Sequence, residues 1–253
     1  MPPDLYGFPG TLRSIPVYAN PASVDKCLCW FRPAGIIGAN GTEMTTWVDS
    51  GPRILVPAAT GGAGARSTIS TGLLNRFTVA TSGGLSQGLR VPSTSPGFSL
   101  TSPDTWTVFT VINWSTAGTT ENGFMGMALN ARGFRIALDG ATGKLLIVYT
   151  NVGGAFTNEI PSLNQWHYLI VTANATALTA YLDGVALTGL GNMTMDIGTV
   201  FPTTLDIGVG FNSANYLFRG SMAEFAMFDS AVSASERAIL QTYAHNTYLI
   251  SGS

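Results

Sequence analysis

The strongest apolar alternation in the chain runs over Thr105–Trp114, TWTVFTVINW. Trp106, Val108, Ile112 and Trp114 share one parity, while Phe109 and Val111 take the other, which predicts a central strand with apolar neighbours on both faces. A second region, residues 166–187, predicts a meander. From His167 to Thr172 the residues are β-branched, aromatic or aliphatic; from Ala177 to Asp183 the chain sends Leu178, Ala180 and Leu182 to one face and Thr179, Tyr181 and Asp183 to the other. Asp183-Gly184 accepts positive φ at both centres of a type I′ turn, so Val185 to Leu187 is expected to pair back. Further strands are expected at 27–31, 45–48, 68–79, 85–91, 98–100, 123–130, 134–138, 144–150, 193–197, 205–209 and 216–228, at the short spacing of a sandwich. Residues 58–65, AATGGAGA, read as a flexible connection. Ser233-Ala234-Ser235-Glu236 matches a capping box and predicts a short helix to about His245, with Ile239, Leu240 and Tyr243 laid on the sandwich. His245 then sits where a cation complements the carboxyl end of the helix.

Four pieces carry a family resemblance: Trp47-Val48-Asp49-Ser50-Gly51; Trp166 followed by Tyr181-Leu182-Asp183-Gly184; Leu205-Asp206-Ile207-Gly208; and Gly220-Ser221-Met222-Ala223-Glu224-Phe225 running into Ser233 to Leu240. In this order they resemble the laminin-G-like and concanavalin A-like jelly-roll domains, over about residues 27 to 245. The resemblance implies an all-β, antiparallel jelly-roll β-sandwich of about 12 to 15 strands, with an extended amino-terminal arm over residues 1–24 and the sandwich, including a helix at 233–245, over residues 25–253. It implies no single function, because that family holds lectins, adhesion modules, hydrolases and structural domains.

The arm carries Pro2, Pro3, Pro9, Pro16 and Pro21 with Tyr6, Phe8 and Tyr18 between them, a pattern that favours an extended chain able to lie on a neighbour. An edge strand on its own sandwich, or disorder, fits the same residues. Charged residues make up 10% of the 253, against roughly 25% in ordinary soluble domains. Uncharged surface on this scale suits coverage by other subunits, a homo-oligomer included; a monomer coated in Thr, Ser and Asn is the alternative. Net charge is −2, Lys26 and Lys144 are the two lysines, and the arginines are scattered, which argues against nucleic acid as a partner. No run of about 18 apolar residues predicts membrane insertion. MPPDLYGFPG lacks the basic and apolar regions of a signal peptide, so synthesis in a cytoplasm is expected and the Asn-x-Ser/Thr sequons at Asn40, Asn113, Asn174 and Asn192 carry no weight.

The chemistry-bearing residues are sparse. Cys27 and Cys29, two apart on a strand, are expected on one face as buried free thiols, and a metal site there would need more ligands than His167 and His245 supply. Gly84-Leu85-Ser86-Gln87-Gly88 matches Gly-x-Ser-x-Gly, but LRVPSTSPG after it cannot build the helix that a nucleophile elbow needs. The resemblance brings laminarinase-type glycosidases into consideration, yet Glu43, Glu121, Glu159, Glu224 and Glu236 have no Glu-x-Asp-x-x-Glu spacing to pair carboxylates. Calcium, common in lectin-like relatives, has Asp104, Asn130, Asp139 and Asn151 at strand ends as its candidates, without a dense cluster. For a sugar, the loop Phe211 to Tyr216 is the first candidate, with Asn212, Asn215 and Tyr216 as ligand-binding residues; a hairpin connection with turn-forming Asn explains the same residues. The expectation is therefore a non-enzymatic structural or adhesion subunit of a larger particle without a cofactor, such as a bacteriophage virion protein (fibre, tail accessory or head decoration) made in the host cytoplasm. Its partners would be other virion subunits and a cell-surface glycan. A free lectin domain is the alternative, and a glycoside hydrolase the third reading.

Overall fold

The computed structural model describes residues 19–55, 57–59, 67–74, 77–83, 88–91, 100–101, 105–117, 121–129, 132–149, 153–175, 177–190, 204–208 and 217–250. Within these, sixteen strands, numbered along the chain, form two antiparallel sheets, and one helix lies against the outside of the larger sheet. The larger sheet runs β14 (Val185–Ala186), β13 (Ala177–Leu182), β12 (Trp166–Asn174), β7 (Thr105–Trp114), β16 (Arg219–Phe228), β1 (Cys27–Ile36) and β2 (Trp47–Asp49); β5 (Phe77–Gly83) also pairs with β16 and carries β4 (Thr68–Leu74). The smaller sheet runs β11 (Gly153–Phe156), β10 (Leu145–Tyr149), β9 (Arg132–Asp139), β8 (Glu121–Leu129), β15 (Thr204–Ile207), β6 (Leu89–Val91) and β3 (Ala58–Ala59). The helix, α1, is Ala234–Tyr248. The architecture is the expected antiparallel jelly-roll sandwich.

The two parities of β7 serve two cores. Trp106, Val108, Ile112 and Trp114 fill the space between the sheets, where Trp106 stacks on Phe134 with ring centroids 4.0 Å apart. Phe109 and Val111 face the other way, under α1, together with Tyr168, Ile170, Leu240, Ala244 and Tyr248. Each large side chain so buried contributes about 1.5–3 kcal/mol, so a strand covered on both faces is the natural centre of the sheet. Asp183 and Gly184 have φ of 50° and 88°, and Leu182 pairs with Val185, as the Asp-Gly turn predicts. Ser233 and Glu236 cap α1 reciprocally, the helix runs to Tyr248, three residues beyond the expected end at His245, and Leu249 closes it in the left-handed conformation.

Of the register shifts among the described strands, three change which side chains face the core. In β1, the register shift between Cys27 and Cys29 turns Leu28 and Cys29 into the inter-sheet core and leaves Cys27 on the helix side. The two thiols are free and buried, as expected, but they occupy opposite faces because the extra residue inverts parity. In β8, the shift between Gly123 and Met125 turns both Phe124 and Met125 inward. In β16, the shift between Met222 and Glu224 has a consequence for α1 described below.

Other boundaries differ from the sequence pattern. Residues 68–79 are not one strand but the start of the β4–β5 hairpin, in which Leu74 pairs with Phe77; no Gly or Pro marks that reversal. Ala58–Ala59 pair with Arg90 and Leu89 where a flexible connection was expected, and Gly153–Phe156 form an unanticipated end strand. Of the expected arm, residues 1–18, with Tyr6, Phe8 and Tyr18, lie outside the described residues; Pro21–Ser23 form a 3-10 turn and Val24 is buried. The expected strand at 193–197 also lies outside them. No helix among the described residues is long and apolar enough to cross a membrane.

Candidate functional site

Inward residues of the smaller sheet, such as Leu89, Met127, Phe134, Ile136, Leu145, Ile147, Ala155, Leu205 and Ile207, belong to the inter-sheet core. Their sequence neighbours therefore point outward, away from the larger sheet. Strand register sets these outward positions in rows. One row crosses the sheet as Arg90, Asp206, Gly126, Arg135, Val148 and Gly154; the next holds Gly123, Ala137, Leu146 and Phe156.

The two arginines are held by bidentate carboxylates. Arg90 donates from Nε to Asp206 Oδ1 at 2.7 Å and from Nη2 to Oδ2 at 2.9 Å. Arg135 donates from Nε to Glu121 Oε2 at 2.6 Å and from Nη2 to Oε1 at 2.7 Å. Asp206 is 1% exposed, so its pairing with Arg90 is what makes its burial tolerable, and the same hydrogen bond and charge raise the Arg90 pKa above its ordinary value. Side-chain exposure rises to 33% at Arg90, and Phe156, on the end strand, is 43% exposed. In the middle of the face Gly123, Gly126, Ala137 and Leu146 are buried, while Gly154 lies so close to Leu146 that an added Cβ would come within 2.9 Å of its Cδ1. The result is a sheet face with a buried ionic centre, an exposed guanidinium on one side and an exposed aromatic ring on the other.

The face offers hydrogen bonds fixed in direction and an apolar platform, a combination suited to holding a molecule with both hydroxyl groups and C–H faces. Among the described residues it offers no free carboxylate. Glu121 and Asp206 are each saturated by an arginine, and their backbone positions, five residues apart in β8 register, are separated by roughly 15 Å of strand. The other glutamates are engaged as well: Glu43 bridges to Thr68 through the backbone, Glu159 accepts from the Thr188 amide and hydroxyl, Glu236 caps α1, and Glu224 is buried under it.

The expected ligand residues Asn212, Asn215 and Tyr216 lie outside the described residues, as does Ser86 of the Gly-x-Ser-x-Gly match. The root of that ligand loop is described: the chain leaves at Gly208, two residues beyond Asp206, where the Gly208 amide donates to the Phe124 carbonyl and the Phe218 amide donates back to Gly208. Of the calcium candidates, Asp104, Asn130 and Asn151 lie outside the described residues, and Asp139 accepts from the Thr142 amide and hydroxyl in its own turn. Among the described residues no group of three or more His, Cys, Asp or Glu side chains could hold a metal ion. The sequence reading missed Arg90, Asp206, Arg135 and Phe156; Leu205-Asp206-Ile207 marked a strand, but nothing local announces a partner 116 residues away.

Residues 82–236 match the sequence profile described as the concanavalin A-like lectin/glucanases superfamily, well over half of the chain. The chain belongs to that superfamily. Solved structures agree on the fold at low identity. Domain 4 of AbnA, an extracellular GH43 arabinanase from Geobacillus stearothermophilus solved in complex with arabinotriose, is 16% identical with a TM-score of 0.59, over 83% of this chain and 96% of that one. Trypanosoma rangeli sialidase is 15% identical with a TM-score of 0.60, over 90% of this chain, which spans only 34% of the sialidase. The binding domain of botulinum neurotoxin serotype D is 14% identical with a TM-score of 0.58, over 87% of this chain and 52% of that one. No curated protein sequence matches the chain.

Proposed function

We propose that this member of the superfamily is a non-enzymatic adhesion module that grips a glycan on the outward face of its smaller sheet and serves as a subunit of a larger particle. The observation that carries the reading is the Arg90–Asp206 pair. A carboxylate buried to 99% fixes the plane of a guanidinium that is one-third exposed, so its hydrogen-bond directions are set before any ligand arrives. Phe156 supplies the apolar platform at the opposite margin. The absence of catalysis in this proposal follows from Glu121 and Asp206: each carboxylate is held in a bidentate pair by an arginine, which leaves neither free to act as acid or nucleophile. Assembly into a particle, of which a bacteriophage virion is the setting that suits the sequence, draws on the 10% charge content and on exposed Phe156, Ile160 and Leu163 near the end of the smaller sheet.

The test is a glycan array of neutral and acidic oligosaccharides, followed by calorimetry on the best ligand. Arg90→Ala and Phe156→Ala are each expected to weaken binding at least tenfold, with no shortened product after prolonged incubation. A blank array, or cleavage of a bound oligosaccharide, overturns the reading. Light scattering on the full chain tests assembly, with a strict monomer as the contrary result.

A further inference from the structure

The most unusual group in the molecule lies far from the ligand face. Glu224 is 0% exposed, and the bulge in β16 explains its position. Met222 belongs to the inter-sheet core; without the extra residue, Glu224 would share its parity and point there too. The bulge instead turns Ala223 and Glu224 toward α1. There the carboxylate joins three elements: Trp30 Nε1 on β1 donates to Oε1 at 2.5 Å, while the Tyr243 hydroxyl, at 3.0 Å, and the Tyr248 hydroxyl, both on α1, donate to Oε2.

We propose that Glu224 is the catch of a pH-sensitive latch that holds α1 on the larger sheet, firm below neutrality and loosened as the pH rises. The helix also packs through buried Leu240, Ala244 and Tyr248, with Ile239 and Tyr243 partly buried beside them, so Glu224 is the polar centre of an otherwise apolar contact. Among the described residues an ionised Glu224 accepts three hydrogen bonds and has no charged partner in contact; the positive charge that reaches it is that of Arg32, exposed and stacked 4.8 Å from the Trp30 ring centre. Burial therefore pushes the carboxyl up to about 7, against the three donors and Arg32, which act in the other direction.

The other titratable groups around the catch have separate duties. On β1 the Cys27 thiol is pushed up by burial to about 12 and stays neutral. On α1 the Tyr243 and Tyr248 phenols are raised by burial and by Glu224 itself. Glu236 is tied to Ser233, Arg237 lies over the Tyr181 ring, and His245 Nδ1 is 3.3 Å from the Ile250 carbonyl. On β12 the Tyr168 phenol is raised by burial to about 12. Asp25 and Lys26, beside the 3-10 turn, are exposed.

The direction follows from linkage. With α1 lifted, Glu224 returns toward 4.5, so the docked state holds the extra proton between that value and about 7; docking is strongest below this window and weakens through it. Hydrogen exchange of α1 amides, corrected for intrinsic rates, tests this on the full chain. Opening at pH 8 is expected to exceed that at pH 5 by up to about 10²-fold, with a plateau above pH 7. Glu224→Gln removes the titration and flattens the profile. Tyr243→Phe removes one donor to the anion and moves the midpoint upward, which keeps the test open should the glutamine variant fold poorly. Protection of α1 that does not vary with pH in the wild type, or that varies equally in Glu224→Gln, overturns the proposal.

Discussion

His167 Nδ1 lies 2.6 Å from Asp183 Oδ2, while His167 Nε2 lies 2.9 Å from the Ser162 carbonyl oxygen. Both ring nitrogens face acceptors, an arrangement that favours the doubly protonated imidazolium. Burial on its own would lower the pKa; the hydrogen bond and charge of Asp183, with the Ser162 carbonyl, outweigh it and hold the ring above the ordinary 6.5. A folded-state pKa raised above the unfolded one stabilises fully below the unfolded value and is lost as pH rises through the folded one. Asp183→Asn is expected to cost about 3 kcal/mol below pH 6, because it leaves a buried cation without its partner, and less at pH 9. Urea midpoints at the two pH values measure the difference; an equal loss at both contradicts the assignment.

Asp206→Asn and Glu121→Gln separate a binding role for the arginine pairs from a catalytic one. Each pair is too buried to be negligible and too near solvent for the full cost of a buried ion, so each substitution is expected to lower stability by about 1–2 kcal/mol. Asp206→Asn also frees the Arg90 guanidinium to turn, so glycan affinity is expected to fall several-fold with it. Denaturant melts and calorimetry check both statements; loss of a hydrolytic activity in either variant would refute the binding role.

Gly220 shows why a glycine opens the Gly-Ser-Met-Ala-Glu-Phe motif. A Cβ there would sit 2.0 Å from the Asn113 carbonyl oxygen, which belongs to the backbone of the neighbouring central strand and cannot move aside. Gly220→Ala is expected to destabilise by about 3 kcal/mol, whereas alanine at exposed Gly41, with nothing within 4 Å, costs only the strain of its φ of 79°. Thermal melts of the two variants rank them; equal losses would contradict the crowding at Gly220.

What the sequence discloses here is what depends on near neighbours. The two parities of β7, the Asp183-Gly184 turn and the Ser233–Glu236 box each lie within a few residues, and each appears in the structure as the pattern foretells. The proposed ligand face depends on register instead. Arg90 meets Asp206, and Arg135 meets Glu121, only because β6, β15, β8 and β9 lie side by side in one alignment. Glu224 is hidden for a further reason: alternation assigns it the face of Met222, and a bulge without any Gly or Pro to announce it reverses the assignment. The same lack of a local signal concealed the separation of Cys27 from Cys29.

The grip on the smaller sheet is tested most directly by titrating the isotope-labelled chain with its best array oligosaccharide and following amide resonances. Shifts are expected to concentrate at Arg90, Gly126, Val148, Gly154 and Phe156, and to leave α1 and β13 unchanged. Shifts confined to the helix side of the larger sheet, with those residues silent, would contradict a glycan-binding role for this face.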